Sequence, residues 1–138
     1  MTITRVLETS LYATDLAAAE RFYAGVLGLE AFARAEGRHV FFRCGPGVFL
    51  VFDPARTSTE PGNVNGAPIP PHGATGPGHA AFAVAEAELD GWRERLVRGG
   101  VPIESEVRWP GGGRSLYVRD PAGNSVELAS PRIWKLAE

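Results

Sequence analysis

The sequence predicts an α+β fold made of two tandem βαβββ modules, and three observations predict it. The first is the order of periodicities: one alternating run, one helical run and three short alternating runs occur twice along the 138 residues. The second is a repeat in the letters. "ETSLYATDL" and "HAAFAVAEAEL" each place an apolar or aromatic residue three positions after the first letter (Leu11, Phe82) and an acid seven after it (Asp15, Glu86). The third is the helix-to-strand step, written "VLGLEAF" in one half and "RGGVPIE" in the other. Two repeats are too few for a solenoid, so a fused pair of equivalent modules within one domain, residues 1–138, is the expectation.

The elements follow in order. Residues 6–13 predict a strand. Asp15 is placed as a helix N-cap, and Leu16, Ala19, Phe22, Tyr23, Val26 and Leu27 then recur at helical spacing until Gly28. Residues 29–35 and 38–44 flank Glu36-Gly37 as a hairpin, and 47–53 continue as a third strand, completing a first module over 4–53. Residues 54–78 are rich in Pro, Gly, Asn and Thr without apolar periodicity, and predict a structureless linker that doubles as a lid. The second module, 79–130, opens with a strand over 79–84. Its helix carries Leu89, Trp92, Leu96 and Val97 on one face and ends at Gly99-Gly100. Strands over 102–107, 114–119 and 124–129 follow. The tail, 131–138, offers Ile133 and Trp134 for docking on the body or a partner.

Composition excludes several function classes. Hydrophobic residues at 44% and charged residues at 22% are ordinary globular values. A net charge of −2 without a basic cluster argues against nucleic acid or an anionic membrane as partner. No apolar run approaches the roughly 20 residues that span a bilayer. "MTITRVLETS" has neither the basic nor the apolar region of a signal peptide, and the single cysteine, Cys44, suits a reducing cytoplasm. Cys44 is expected to pack in its strand, and Trp92 in the core.

Three residues could carry metal chemistry. If the modules are equivalent, Glu8 and His79 occupy the same place in each, at the start of a first strand. Glu127, between Val126 and Leu128, faces away from both because strand residues alternate between faces. Imidazole and carboxylates suit Fe(II), Mn(II), Zn(II), Ni(II) or Co(II), and three protein ligands leave positions open for water or substrate. Each residue alone also has a plain reading as a solvated strand side chain, and spacing does not establish the site. His72, in the long segment, is a candidate lid residue or general base. Tyr117 stands on the strand before Glu127. Trp109, beside "GGG", Arg114 and Arg119, together with Ser10, are candidates for contact with substrate.

Residues 4–130 resemble the vicinal oxygen chelate superfamily, which includes glyoxalase I, bleomycin-resistance proteins, fosfomycin-inactivating thiol transferases and extradiol dioxygenases. "TDLAAAERFYAGVLGLE", "GHAAFAV" and "YVRDPAGNSVEL" carry the resemblance. It implies βαβββ modules whose curled, cup-shaped mixed sheet surrounds a divalent metal, often completed across a homodimer. It implies His79 and Glu127 as ligands, with Glu8 where the first module usually offers His. The fourth ligand position of glyoxalase I falls at about Leu50 or Val51, both apolar, so a three-ligand site is expected and a true glyoxalase I assignment is weakened. The dioxygenase ending is reproduced by Leu116, Tyr117, Asp120, Pro121, Gly123 and Glu127. Its acid–base His is missing from "SEVRWPGGGRS", which would leave that role to His39 or His72. In the thiol-transferase branch the position of Tyr117 contacts an anionic substrate. The implied function is a metalloenzyme that chelates substrate oxygens and stabilises an enolate or oxyanion, with lyase, isomerase, transferase and oxygenase outcomes all open. The alternative is a metal-free dimeric binding protein of bleomycin-resistance type that sequesters an antibiotic or aromatic metabolite.

Overall fold

The computed structural model describes residues 1–138, and the chain divides into two units, Met1–Gly76 and Pro77–Glu138. In the first unit, β1 (Glu8–Tyr12) leads into helix α1 (Leu16–Glu20), then β2 (Glu30–Ala35), β3 (His39–Cys44) and β4 (Gly47–Phe52). The sheet order is β1-β4-β3-β2, with β1 parallel to β4 and the other pairs antiparallel. The Asp15 side chain accepts from the Ala18 N–H at 2.8 Å, capping α1 as its residue type predicts. The helix then widens over Arg21–Val26, where Leu27 N–H donates five residues back to the Phe22 carbonyl. Gly28, at φ 81°, ends it.

One face of this sheet packs under the helix. Leu11, Val40, Phe42, Phe49 and Val51 are buried there with Phe22, Tyr23 and Leu27. The Tyr23 ring is fully buried, 4.7 Å from Phe49 and 5.6 Å from Phe42. β4 occupies an interior position in the sheet, which is why "VFLVF" is apolar without alternation.

The segment expected to be structureless is not. Helix α2 (Pro54–Thr57) starts on Asp53, whose carboxylate accepts from Ala55 N–H. The Ser58 and Thr59 hydroxyls donate to the Pro54 and Ala55 carbonyls at 2.6 and 2.7 Å. β5 (Gly62–Val64) and β6 (Ala67–Ile69) form a hairpin around Asn65-Gly66, both at positive φ. Local hydrogen bonds, not buried apolar stripes, hold this stretch, so hydrophobic periodicity could not reveal it.

The second unit repeats the first. β7 (His79–Ala83) and a 3₁₀ turn over Glu86–Glu88 lead to helix α3 (Leu89–Arg98), then β8 (Ser105–Arg108), β9 (Arg114–Arg119) and β10 (Ser125–Ala129). Sheet order is β7-β10-β9-β8, with β7 parallel to β10. Leu89 and Leu96 of α3 are fully buried, as are Leu116, Val118, Val126 and Leu128 or nearly so. The helix face is narrower than expected. Val97 is 63% exposed because it lies one residue past the Leu89–Leu96 stripe. Trp92 is half-buried at the margin, with the Arg95 guanidinium 5.1 Å from its ring centre. β8 starts at Ser105 rather than 102, since Pro102 has no N–H to give to a ladder. In the tail, Ile133 packs on Gly113, while Trp134 stays 75% exposed. No helix is long and apolar enough to cross a membrane.

Leu96→Ala should cost about 2–5 kcal/mol in urea unfolding, whereas the neighbouring Val97→Ala should stay within about 0.5 kcal/mol. Gly113→Ala should also be strongly destabilising. Its φ is +89° and a Cβ there would sit 2.7 Å from Ile133 Cγ2 and 2.9 Å from the Ile133 nitrogen. A melting temperature unchanged by Gly113→Ala would contradict this packing.

Candidate functional site

The ladder of the second sheet sets its chemistry in rows. Glu127 stands opposite Ala81 on one side and Tyr117 on the other, and Tyr117 stands opposite Ser105. One step along, His79 pairs with Ser125 and Ser125 with Arg119. Directly paired residues share a face, so this face presents His79, Glu127, Tyr117, Ser105, Ser125 and Arg119. The opposite face carries Phe82, Leu116, Val118, Val126 and Leu128.

Glu127 is 4% exposed, and its Oε1 has no hydrogen-bond partner. Its Oε2 lies 3.4 Å from His79 Nε2. His79 Nδ1 lies 3.1 Å from the Ser125 carbonyl, which can only accept, so Nδ1 carries the proton in the neutral ring. That tautomer turns the Nε2 lone pair toward a carboxylate oxygen, an arrangement a shared cation resolves. A buried orphan carboxylate oxygen beside a correctly oriented imidazole therefore fits two ligands of a divalent metal.

The turn between β9 and β10 fixes where His79 stands. The Asp120 carboxylate accepts from Ala122 N–H, Asn124 N–H and the Asn124 side-chain amide at 2.8–3.0 Å. Asn124 Oδ1 in turn accepts from Gly78 N–H at 2.8 Å, tying the residue before His79 to this turn. Asp120 and Asn124 are both buried.

Trp109 Nε1–H donates to Ser115 Oγ at 2.8 Å. Ser115 shares the face of Tyr117, and Glu127 stands opposite Tyr117 on the neighbouring strand. Burial, then the neighbouring Glu127 carboxylate, pushes the Tyr117 phenol above its ordinary range. Trp109, 39% exposed on the hairpin, thus joins the site through Ser115. Arg119 shares the face but is held by Glu104. Arg114 lies on the helix-side face, bound to Asp90 and Glu106 at 2.8 and 2.9 Å. A cavity of about 290 Å³ opens over Tyr117 and Arg119.

In the first sheet the register Glu8↔Val48 and Ser10↔Leu50 matches His79↔Ser125 and Ala81↔Glu127. Glu8 is therefore the positional equivalent of His79, and Leu50 of Glu127. Of the two residues considered for a fourth ligand, Leu50 shares the face of Glu8, whereas Val51 faces the helix. Glu8 is exposed and Ser10 half-buried. Further along this face Tyr12, His39, Phe41 and Phe52 are half-buried and clustered. His39 stacks on Phe41 at 3.9 Å, and its basicity is lowered by burial, then by Arg38. The Tyr12 hydroxyl meets His72 Nδ1 at 2.8 Å, and the His72 ring stands edge-on to Phe52 at 4.6 Å. At about 3.3 Å per residue, Tyr12 lies roughly 13 Å along β1 from Glu8. A larger groove, about 610 Å³, lies elsewhere in this unit, between the start of α1 and residues 34–40. It contains neither Glu8 nor His72. Within neither unit do three or more His, Cys, Asp or Glu side chains gather as a metal site. Cys44 is partly buried and its thiol is pushed up by burial, as expected of a packing residue.

Glu104, Ser105, Ser115, Ser125 and Asn124 were missed in the sequence. Strand parity with Tyr117 and Glu127 would have flagged Ser105, Ser115 and Ser125. The tie from Asn124 to Gly78 spans 46 residues and had no local signal.

A family model for the glyoxalase/bleomycin resistance protein/dioxygenase superfamily matches residues 5–128. A lactoylglutathione lyase from Agrobacterium tumefaciens is 44% identical over 99% of this chain and 100% of its own, with a TM-score of 0.90. A glyoxalase-related enzyme from Fulvimarina pelagi is 26% identical over 93% of this chain and 88% of its own, at 0.70. A glyoxalase/bleomycin resistance protein/dioxygenase from Nocardioides, 22% identical over 94% of this chain and 85% of its own, shares the fold at 0.69. No curated protein matches the chain. With the repeated mixed sheets and the match over nearly the whole length, the chain belongs to the glyoxalase/bleomycin resistance protein/dioxygenase superfamily.

Proposed function

We propose that this protein is a divalent-metal-dependent enzyme of the superfamily, with Glu8, His79 and Glu127 as ligands for Fe, Mn, Zn, Ni or Co. The observation that carries the reading is the buried Glu127 carboxylate, whose Oε1 has no partner while its Oε2 lies 3.4 Å from His79 Nε2. A buried carboxylate oxygen left unpaired costs stability, so its presence points to a cation. When bound, the metal would act as a Lewis acid toward substrate oxygens and favour an enolate or oxyanion.

The chain's own residues supply orientation. Ser125 holds the His79 tautomer, and Tyr117, opposite Glu127 on the neighbouring strand, would present its phenol O–H to a substrate oxygen. Tyr117 is thus the catalytic residue best supported by its surroundings. Arg119 shares its face and stays among the substrate-binding residues, as does Ser10 beside Glu8. Arg114 is on the other face and is not among them. His72, bound to Tyr12 some distance from Glu8, is assigned to the wall of the first sheet. The likeness to a lactoylglutathione lyase brings lyase chemistry forward among the outcomes. Leu50, at the position equivalent to Glu127, supports three ligands rather than four. The proposal includes a homodimer in the cytoplasm acting on a small molecule. The exposed Ile3, Val6 and Leu7 side chains support association with a second copy.

A second reading is a metal-free protein that sequesters an aromatic small molecule. The half-exposed Tyr12, His39, Phe41 and Phe52 rings favour it.

Protein purified without chelator should hold close to one equivalent of divalent metal per chain, and Mn, Ni, Zn or Co should raise the melting temperature of stripped protein. Glu127→Ala should abolish that saturable rise. Less than about 0.2 equivalents in both forms, with no metal-dependent stabilisation, would favour the binding reading. Asn124→Ala, which loosens the residue before His79 without touching a ligand, should weaken metal affinity by about 10–100-fold in a competition titration.

A further inference from the structure

We propose that Glu104 sets substrate charge: by holding Arg119, it makes the cavity over Tyr117 a site for small, uncharged, oxygen-rich molecules and disfavours anions. The inference deepens the enzyme reading and rests on it for the meaning of "substrate", but the binding preference stands on the cavity alone.

The cavity is lined by Glu104, Ser105, Val107, Tyr117, Arg119 and Ser125. Its volume of about 290 Å³ lies at the small end of the roughly 300–1,000 Å³ typical of ligand sites. Arg119 is the cation in this lining, and all three of its nitrogens are engaged. Nε meets Glu104 Oε2 at 2.5 Å, one terminal nitrogen meets Oε1 at 2.8 Å, and the other meets the Gly123 carbonyl at 3.2 Å. This fork-to-carboxylate pairing is the geometry Arg would otherwise offer to an anionic substrate. An incoming carboxylate or phosphate must displace Glu104 or sit beside its negative charge. Either is a repulsive element of the kind that yields specificity.

What remains for recognition is neutral. Tyr117 and the two serines offer hydroxyls, and Val107 offers an apolar wall. The rows of the ladder place these groups next to the metal-ligand candidates. Arg119 pairs with Ser125 and Ser125 with His79, while Ser105 pairs with Tyr117 and Tyr117 with Glu127. A small molecule seated here touches the strand of Glu127 at Ser125 and the next two strands beside it.

The test uses chelator-treated full-length protein and two probes matched in shape, lactamide and lactate, with affinities read from NMR shift changes of residues 105, 117 and 125. Wild type should bind lactamide about tenfold more tightly than lactate, and Glu104→Gln should erase or reverse that ratio by freeing Arg119. The double variant Glu104→Gln/Arg119→Gln should restore the preference for lactamide. Equal affinity for the two probes in wild type, or a ratio unmoved by Glu104→Gln, overturns the proposal, as does binding of neither probe. Because no metal is present, these outcomes are independent of the metal-uptake test of the enzyme reading.

Discussion

Glu127 is a buried carboxylate on an interior strand, and most of what is distinctive about the second unit serves or answers that burial. Removing a carboxylate from water without a full set of partners costs several kcal/mol, more than an ordinary surface ion pair returns. The structure offers partial compensation. Tyr117 stands opposite the group on the neighbouring strand, and His79 Nε2 approaches one oxygen. The other oxygen is left without a partner. On the strand "SVELA" such a group is a local departure from the apolar packing of its neighbours Val126 and Leu128.

The same topology in the two units carries different chemistry, and the register says where they diverge. In the second sheet the equivalent pair of positions holds His79 and Glu127. In the first it holds Glu8 and Leu50. The first sheet then continues into an aromatic cluster built from Tyr12, His39, Phe41, Phe52 and His72, where the second has small residues and hydroxyls. Duplication preserved the ladder and the helix-facing core, because those are set by backbone pairing and apolar packing. It left the other face free to specialise.

Electrostatics in this protein are mostly settled internally. Arg34 is held by Glu20, Arg114 by Asp90 and Glu106, Arg132 by Glu86 and Arg119 by Glu104. These pairs contribute little stability where exposed, but they decide which charges are available to a ligand. The arginines named are thereby committed within the chain, Arg119 beside the cavity over Tyr117 among them.

The sequence by itself determined the repeated βαβββ order, the capping of α1 by Asp15, the Gly28 stop and the strand parity that sets Glu127 apart from Val126 and Leu128. These are local properties, written in periods of 3.6 and 2 and in single cap residues. The hairpin at Asn65-Gly66 was also local, but its signal is turn chemistry and is invisible to a search for apolar period. Only the tertiary structure decided that Asn124 anchors Gly78, that Trp109 donates to Ser115, that Arg114 and Arg119 face opposite ways with different partners, and that Val97 lies outside the core. Each depends on which strand lies beside which, and in what register. Pairing between strands 46 residues apart is fixed by the collective burial of both sheet faces and leaves no mark on either segment alone.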